Sequence, residues 1–263
     1  MLVYLRWIFG ALLLPEPKTP LKSGNLGPEK RIVWLPQKQE IVLDEVKAIG
    51  RKHGATVNDV VTSCIAGAIE RYILSEARGG HHQSVRYIRM NMPVNLRPLL
   101  DPNEEWKIEC GNQFGFITVS LPISGFRGQP ERRLDAVVQE ILRNKKTAER
   151  YASKNMSLIS SFMPRSFALM ALKYFARAST GAITNIRGSP IPLSINGNKI
   201  STFLGFAPAS GLFEITFLII SYNGKLNLCI SANKKSIQKP ESLLEHFLDE
   251  YISLRDAEVK KMN

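Results

Sequence analysis

The strongest constraint on the fold lies near the C-terminus, where two apolar runs flank a turn. Residues 215–220 are apolar on both faces that a strand presents, which is typical of a central strand covered on each side. The dipeptide Asn223-Gly224 follows, and it strongly favours a two-residue hairpin. We therefore predict paired antiparallel strands over residues 213–222 and 225–232.

Strands and helices are mixed upstream of this hairpin. Residues 56–74 predict the clearest helix, because apolar side chains recur at helical spacing and Thr56 with Asp59 forms a capping box. Residues 85–94 alternate between apolar and polar side chains, which predicts a strand. The rest of the pattern predicts strands at 31–35, 115–121 and 181–184 and a hairpin at Asn196-Gly197. It also predicts helices at 42–53, 130–151, 157–176 (kinked or divided at Pro164) and 239–254.

This order of elements favours an α/β fold in which a mixed, largely antiparallel sheet packs with helices, rather than a doubly wound sheet. We predict an apolar segment and linker over residues 1–30, a domain over 31–256 and a tail over 257–263.

Residues 1–14 are mostly apolar, but a helix needs about 20 residues to span a bilayer. They also lack the pattern of a signal peptide. We expect an amphipathic helix on a membrane, a helix packed on a missing neighbour, or an ordinary buried helix.

Positive charge is concentrated in one part of the chain. The net charge is +12, and residues 127–187 hold twelve basic and four acidic residues, a net charge of +8. Such a field attracts phosphate groups, whether of nucleic acid, anionic lipid headgroups or coenzyme A. A solvated helical surface is the alternative explanation. We predict weak, salt-dependent binding of this region to anionic surfaces.

The chain shows no self-contained catalytic motif. Dinucleotide-binding, P-loop and nucleophile-elbow sequences are absent. Cys64 and Cys229 fall in apolar patterns and are predicted to be reduced core thiols, which favours a reducing compartment. His81 and His82 lie in a Gly-Gly loop, where adjacent side chains point apart, so no metal site is predicted there.

Six short stretches, in this order, resemble one known family. They are Gly54-Ala-Thr-Val-Asn-Asp-Val-Val61, Met92-Pro-Val-Asn-Leu-Arg-Pro98, Gly111-Asn-Gln-Phe-Gly115, Thr184-Asn-Ile-Arg-Gly188, Pro208-Ala-Ser-Gly211 and Ser221-Tyr-Asn-Gly-Lys225 with the strand after it. Their order and spacing over roughly residues 18–255 resemble the C-terminal domain of the wax ester synthase / diacylglycerol acyltransferase family, within the coenzyme A-dependent acyltransferase superfamily.

The resemblance implies an enzyme of two lobes, each similar to chloramphenicol acetyltransferase, with a tunnel between them for acyl-CoA and an acceptor alcohol. The family's catalytic motif, His-His-x-x-x-Asp-Gly, lies in the N-terminal lobe, and its second histidine removes the proton of the acceptor hydroxyl. Here Gln83-Ser-Val-Arg86 follows His81-His82, so the Asp and Gly are missing and we interpret the pair as a surface loop. We therefore predict no catalytic residue in this chain and a missing N-terminal acyltransferase lobe as its partner.

Asn58 and Asp59 match the family's Asn-Asp motif. The resemblance implies a position close to the lobe interface, where the pair orients the catalytic region. The structural alternative is the helix cap, because an Asp can satisfy free amides in the first turn of a helix.

Other candidate residues for substrate binding or the lobe interface come from two loops that the resemblance implies. Asn185, Arg187 and Gly188 are expected between strands, where a flexible backbone can approach a ligand, or Gly188 and Pro190 simply form a turn. Ser210 and Gly211 are expected to line the tunnel or to form a loop. The family usually has Asn-Val-Pro-Gly-Pro where this chain has Asn185-Ile-Arg-Gly-Ser-Pro190, Pro-Gln-Ser-Gly where it has Ala209, and an Asp where it has Asn233.

The resemblance thus implies transfer of a fatty acyl group from acyl-CoA to diacylglycerol or a long-chain alcohol, with acyl-CoA as substrate and no bound cofactor or metal. The alternative is a non-catalytic lipid-binding or regulatory module that kept the fold. A nucleic-acid partner is not predicted, because no aromatic-rich basic strand motif occurs. We expect a peripheral membrane or lipid-droplet location on the cytoplasmic side, no activity from this chain alone, and an uncovered apolar patch built from residues 1–14 and 157–176.

Overall fold

The computed structural model describes residues 29–76, 85–97, 113–146, 162–170, 178–208 and 211–260, together with residues 16, 19–22, 27 and 151. The predictions for residues 1–14, for His81 and His82, and for Ser210 lie outside the described residues.

Within the described residues, seven strands form one mixed sheet, in the order β1-β9-β8-β5-β3-β4, with β2 pairing beside β1 on β9. β5 lies parallel to both of its neighbours, β3 and β8, and every other pair in the sheet is antiparallel. The prediction of a mixed, largely antiparallel sheet is confirmed. The strands are β1 (Lys30–Trp34), β2 (Ile41–Val42), β3 (Tyr87–Asn95), β4 (Phe114–Pro122), β5 (Gly181–Arg187), β8 (Ile215–Tyr222) and β9 (Lys225–Asn233), while β6 (Ser194–Ile195) and β7 (Asn198–Lys199) form a separate hairpin.

Four long helices accompany the sheet within the described residues. They are α1 (Leu43–Lys52), α2 (Val57–Glu76), α3 (Pro130–Lys145) and α4 (Pro240–Lys260). Residues 165–170 are also helical and begin directly after Pro164, as the predicted division required. α4 extends to Lys260, into the predicted tail.

Both predicted hairpins are confirmed, and their backbone angles explain the residue choice. Asn196 and Gly197 have φ of 49° and 78°, and Asn223 and Gly224 have φ of 48° and 73°. A two-residue turn with positive φ at both positions matches the twist of its strands, and Asn-Gly is the pair that tolerates it.

Within the described residues, the helices cover one face of the sheet, and Leu204 of the loop before β8 packs on the other. Ile215, Phe217 and Ile219 of β8 join the helix-side core, while Leu218 and Ile220 of the same strand pack with Cys229 and Leu204 on the opposite face. The prediction that β8 is covered on both sides is therefore confirmed. We call the side away from the helices the outer face.

Three helices are joined by a buried ion-pair network that the sequence pattern did not reveal. Arg133 of α3 is 1% exposed and donates to Glu70 of α2 and Glu250 of α4, while Arg71 Nε donates to Glu250 Oε1 at 2.6 Å. Gly67 makes the room, since a Cβ there would overlap the Arg133 guanidinium and the Glu250 carboxylate. Arg133 was counted in the basic region of residues 127–187, but its charge is enclosed by two carboxylates.

None of the described helices combines the length and the apolar character that a bilayer span requires.

Candidate functional site

The start of α2 forms the first part of the candidate site. Asp59 Oδ2 accepts hydrogen bonds from the Thr56 backbone N–H and from Thr56 Oγ1, both at 2.8 Å, and the Asp59 N–H donates to Thr56 Oγ1 at 3.4 Å. This reciprocal arrangement is a capping box, which satisfies amides that a helix N-terminus leaves free. The structural interpretation of Asp59 is confirmed.

The second carboxylate oxygen of Asp59 takes no part in the cap. Asp59 is 5% exposed, and its second oxygen, Oδ1, is buried without a hydrogen-bond partner among the described residues. Asn58 beside it is half-buried. A buried carboxylate oxygen favours a donor, so this position suits a hydrogen bond from a group outside the described residues.

The end of β5 forms the second part, and here the sequence prediction needs correction. Asn185 and Arg187 do not lie between strands: they are within β5, paired with Ile219 and Ser221 of β8. The sequence predicted a short apolar strand that ends at residue 184, and residues 185–187 continue it. All three are exposed, at an end of the strand where β8 is its only strand partner among the described residues.

Gly188 follows directly and is packed against the neighbouring strand. Its N–H donates to Ser221 Oγ at 3.2 Å, and a Cβ at this position would overlap the Ser221 carbonyl oxygen. Glycine is therefore required by close approach of two backbone segments. The closely approaching group is protein backbone, and the prediction of ligand contact by Gly188 stays a prediction.

Residues 201–208 and Gly211 make up the loop that leads into β8. Leu204 packs on Leu218 and Ile220 of the outer face, and a cavity of about 150 Å³ opens between residues 35–40 and Ser201-Thr202. Gln37 Nε2 donates to Thr202 Oγ1 at 2.6 Å and closes one side. Gly211 has φ of 66°, a left-handed conformation that favours glycine.

A buried carboxylate lies where this loop enters β8. Glu214 is 1% exposed, and its Oε2 accepts hydrogen bonds from Asn233 Nδ2 at 2.6 Å and from Ser236 Oγ at 2.8 Å. Lys30 lies close to Glu214, and burial lowers the pKa of Lys30 even though Glu214 opposes that shift. An amide at position 233 therefore suits this site, because an aspartate there would place two carboxylates together.

The sequence profile of the WS/DGAT C-terminal domain matches residues 110–255, more than half of the chain. The chain belongs to this family.

Relatives with established names agree with this membership. The chain is 23% identical to the O-acyltransferase WSD of Acinetobacter baylyi over 241 residues, covering 85% of this chain and 46% of that protein. It is 22% identical to wax ester synthase/diacylglycerol acyltransferase 11 of Arabidopsis thaliana, covering 95% of this chain and 53% of the relative. The chain thus spans about half the length of the curated relatives it matches.

Solved structures agree on the fold of this WS/DGAT C-terminal domain. The wax ester synthase/diacylglycerol acyltransferase of Marinobacter aquaeolei VT8 superposes with a TM-score of 0.62 at 18% identity, covering 95% of this chain and 54% of that one. The epimerization domain of tyrocidine synthetase B superposes with a TM-score of 0.61 at 10% identity, covering 97% and 56%. The predicted fold of the acyltransferase superfamily is confirmed.

The structure brings the candidate residues together in two separate groups. Asn185, Arg187 and Gly188 lie together at the end of β5, and Asn58 and Asp59 lie together at the start of α2. No hydrogen bond or ion pair between described residues joins the two groups. Glu214 was missed by sequence reasoning, although an acidic residue immediately before an apolar central strand is a usable signal.

Each of the two histidines that the structure describes lies beside a carboxylate. His53 Nδ1 lies 3.0 Å from Asp135 Oδ1, and His246 Nδ1 lies 3.9 Å from Asp249 Oδ2. Burial raises the pKa of both the Cys64 and the Cys229 thiols, which disfavours the nucleophilic thiolate. Among the described residues, no three His, Cys, Asp or Glu side chains are placed to hold a metal ion.

Proposed function

We propose that this chain forms the C-terminal lobe of an O-acyltransferase that transfers a fatty acyl group from acyl-CoA to diacylglycerol or a long-chain alcohol. The products would be triacylglycerol or a wax ester. The match of residues 110–255 to the WS/DGAT C-terminal domain is the observation that supports this proposal. The named relatives that the chain matches are O-acyltransferases.

The general base is proposed to come from an N-terminal lobe. Attack of a hydroxyl on a thioester needs removal of the hydroxyl proton, and a general base contributes typically ~10²–10⁴-fold. Among described side chains, the two thiols are buried, and the two imidazoles, His53 and His246, stand outside any His-His-x-x-x-Asp-Gly sequence. The half-length coverage of the relatives supports a second lobe as the source.

This chain would contribute walls and positioning groups. Asn185 and Arg187 are exposed at the end of β5, where they are accessible to a substrate or to the second lobe. Asp59 Oδ1 is suited to accept a hydrogen bond across the lobe interface while Oδ2 keeps the cap. Ser210 and Gly211 are proposed to line the tunnel, and the excess positive charge would attract the phosphates of acyl-CoA.

The test is a chimaera in which this chain replaces the C-terminal half of the Acinetobacter baylyi enzyme. Labelled acyl-CoA is supplied with diacylglycerol or hexadecanol, and labelled ester is measured. We expect ester from the chimaera and none from this chain alone. His82→Ala should leave the chimaera active, as should His246→Ala, a matched control on α4.

Two outcomes would contradict the proposal. Turnover by this chain alone that His82→Ala abolishes would assign the base to the His81-His82 loop. A folded, monodisperse chimaera that makes no ester while the intact Acinetobacter enzyme does would instead support the alternative, a non-catalytic lipid-binding or regulatory module.

A further inference from the structure

A row of backbone hydrogen bonds crosses one end of the sheet. The Thr180 N–H donates to the Arg89 carbonyl at 2.9 Å, and the Glu214 N–H donates to the Thr180 carbonyl at 3.0 Å. The Asn233 N–H donates in turn to the Glu214 carbonyl at 2.7 Å. The side chains of Thr180, Glu214 and Asn233 are 1% exposed or less, so protein covers this end of the sheet. The starts of β3, β5 and β8 and the end of β9 meet here.

Glu16 extends this row on the side of β3. The Arg89 N–H donates to Glu16 Oε1 at 2.5 Å, and Lys22 Nζ donates to Glu16 Oε2 at 2.8 Å. The Glu16 side chain is 0% exposed. Among the described residues, β5 pairs with β3 at Met90 and Asn91, so its ladder does not reach the Arg89 N–H. A charged acceptor, which makes stronger hydrogen bonds than a neutral one, therefore takes the place of a strand.

The residues that follow Glu16 are built into the domain. Leu21 is fully buried in the helix-side core, and Thr19 is 6% exposed. The Lys22 N–H donates to the Thr19 carbonyl at 3.0 Å, which closes a turn. A flexible connection would leave these side chains in water, so residues 19–22 are anchored to the domain.

The chain then has to pass from β3 to β1 along this end of the sheet. The Glu29 carbonyl accepts the Lys234 N–H at 3.4 Å, directly before β1. Four strand spacings separate β3 from β1, which is about 19 Å at ~4.8 Å each. The thirteen steps from Glu16 to Glu29 reach more than twice as far at about 3.3–3.6 Å each, so the crossing needs no strain. We call residues 16–29 the strap.

We propose that the strap fixes the place and the direction in which the chain enters this lobe, and that Glu16 is the clip that holds it. Glu16 is a positioning residue: it touches no substrate and acts on the second lobe through the chain that joins the two. The inference rests on the proposed function, because the orientation of a second lobe matters only where two lobes enclose one site and a small misplacement slows the reaction.

Amide hydrogen exchange and limited trypsin digestion of the intact chain test the clip. Glu16→Ala should lower the protection of the Arg89 amide about tenfold to hundredfold, because a hydrogen bond to a charged group is lost. Trypsin should cleave after Lys22 at least about tenfold faster, since an anchored turn has to open locally before it can be cut. Glu16→Gln keeps an acceptor oxygen for the Arg89 N–H, so its effects should be smaller than those of Glu16→Ala.

Glu29→Ala is the matched control. It removes the same charge from the same strap, but the Glu29 side chain is exposed and only its backbone carbonyl holds Lys234. Exchange at Arg89 and cleavage after Lys22 should therefore equal those of the unmodified chain. If Glu16→Ala does not fold, Glu16→Gln is compared with Glu29→Ala in its place.

The distance between the two lobes tests the positioning role. In the chimaera with the Acinetobacter baylyi lobe, one label is placed at Ile252→Cys on α4, with Cys110→Ser, and the other at an exposed cysteine introduced in the Acinetobacter lobe. Cys64 and Cys229 are buried and should not take a label. The distribution of label distances should be narrow in the unmodified chimaera and in Glu29→Ala, and broader in Glu16→Ala.

Two results would overturn the proposal. Unchanged exchange at Arg89 and unchanged cleavage after Lys22 in Glu16→Ala would show that Glu16 is no clip. A released strap with an unchanged distance distribution would show that residues 16–29 only cover the sheet end. A chimaera that makes no ester would contradict the proposed function, while its distance distribution would still decide for or against the strap.

Discussion

The two faces of the sheet differ in the side chains that they bury and expose. On the helix-covered face, the charged side chain of Arg133 is buried in a network with Glu70 and Glu250. On the outer face, apolar side chains such as Trp34 and Phe206 are exposed. The first face buries charge in order to join helices, and the second exposes apolar surface that folding alone does not require.

This contrast separates stability from interaction. Burying an arginine costs several kcal/mol in desolvation, which partner carboxylates offset only when the geometry is good. Burial raises the pKa of Glu70 even though Arg133 opposes that shift, in line with the cost of enclosing these charges. Substitutions on the helix-covered face should therefore change the free energy of unfolding, and those on the outer face should change binding.

The largest effect is expected at Arg133. Arg133→Ala leaves the buried carboxylates of Glu70 and Glu250 without their shared partner and should lower the free energy of unfolding by about 3–5 kcal/mol. Urea denaturation followed by circular dichroism measures it. Arg132→Ala, one residue away and exposed, should change it by less than about 0.5 kcal/mol. Equal effects of the two substitutions would remove the contrast between the faces.

The second effect is expected at Asn233. Asn233→Asp places a carboxylate against buried Glu214 and should cost about 1–3 kcal/mol at neutral pH. Mutual repulsion raises the pKa of the pair, so the folded state gains a proton first as pH falls and the loss should shrink in acid. Unfolding at pH 7 and pH 4.5 measures it, with exposed Asn198→Asp as control. A loss that does not depend on pH would contradict the electrostatic explanation.

A third, smaller effect is expected at the start of α2. Thr56→Ala removes one side of the capping box and should cost about 1 kcal/mol. Asp59→Asn should destabilise by a similar amount. If, in the chimaera, Asp59→Asn lowers ester synthesis far more than Thr56→Ala at equal stability, Asp59 acts across the lobe interface as well. Parallel losses would leave it a cap alone.

The smallest effect on stability is expected on the hairpin. Ile195→Ser should shift the free energy of unfolding by less than about 0.5 kcal/mol, because the side chain is exposed. Differential scanning fluorimetry, with core Ile230→Ser as the destabilising control, measures it. A marked loss of stability would show that Ile195 packs within the fold.

The exposed apolar side chains of the structure are only partly those that the sequence predicted. Residues 1–14 lie outside the described residues, but residues 162–170 do expose Phe162, Phe167 and Met170. Exposed apolar side chains also occur at Trp34 and on the β6–β7 hairpin, which the sequence pattern predicted only as a turn. Alternation within two-residue strands is too short to indicate which side chains a neighbour covers.

Local chemistry in the sequence determined much of this protein. Period and turn residues predicted β8, both Asn-Gly hairpins and the α2 cap, because each depends on residues within a few positions of one another. The six short stretches led to the family that the profile match established. These features are encoded locally and are visible without any structure.

Only the tertiary structure decided which charges are inside. Arg133 stands in a basic helix and looks solvated, although its four-residue spacing from Val137 and Ile141 places it on the apolar stripe. Its partners lie 63 and 117 residues away in the chain. Pairing across such separations depends on how three helices cross, and so does the room left by Gly67. Periodicity shows which side of a helix is buried, but only packing shows what meets it there.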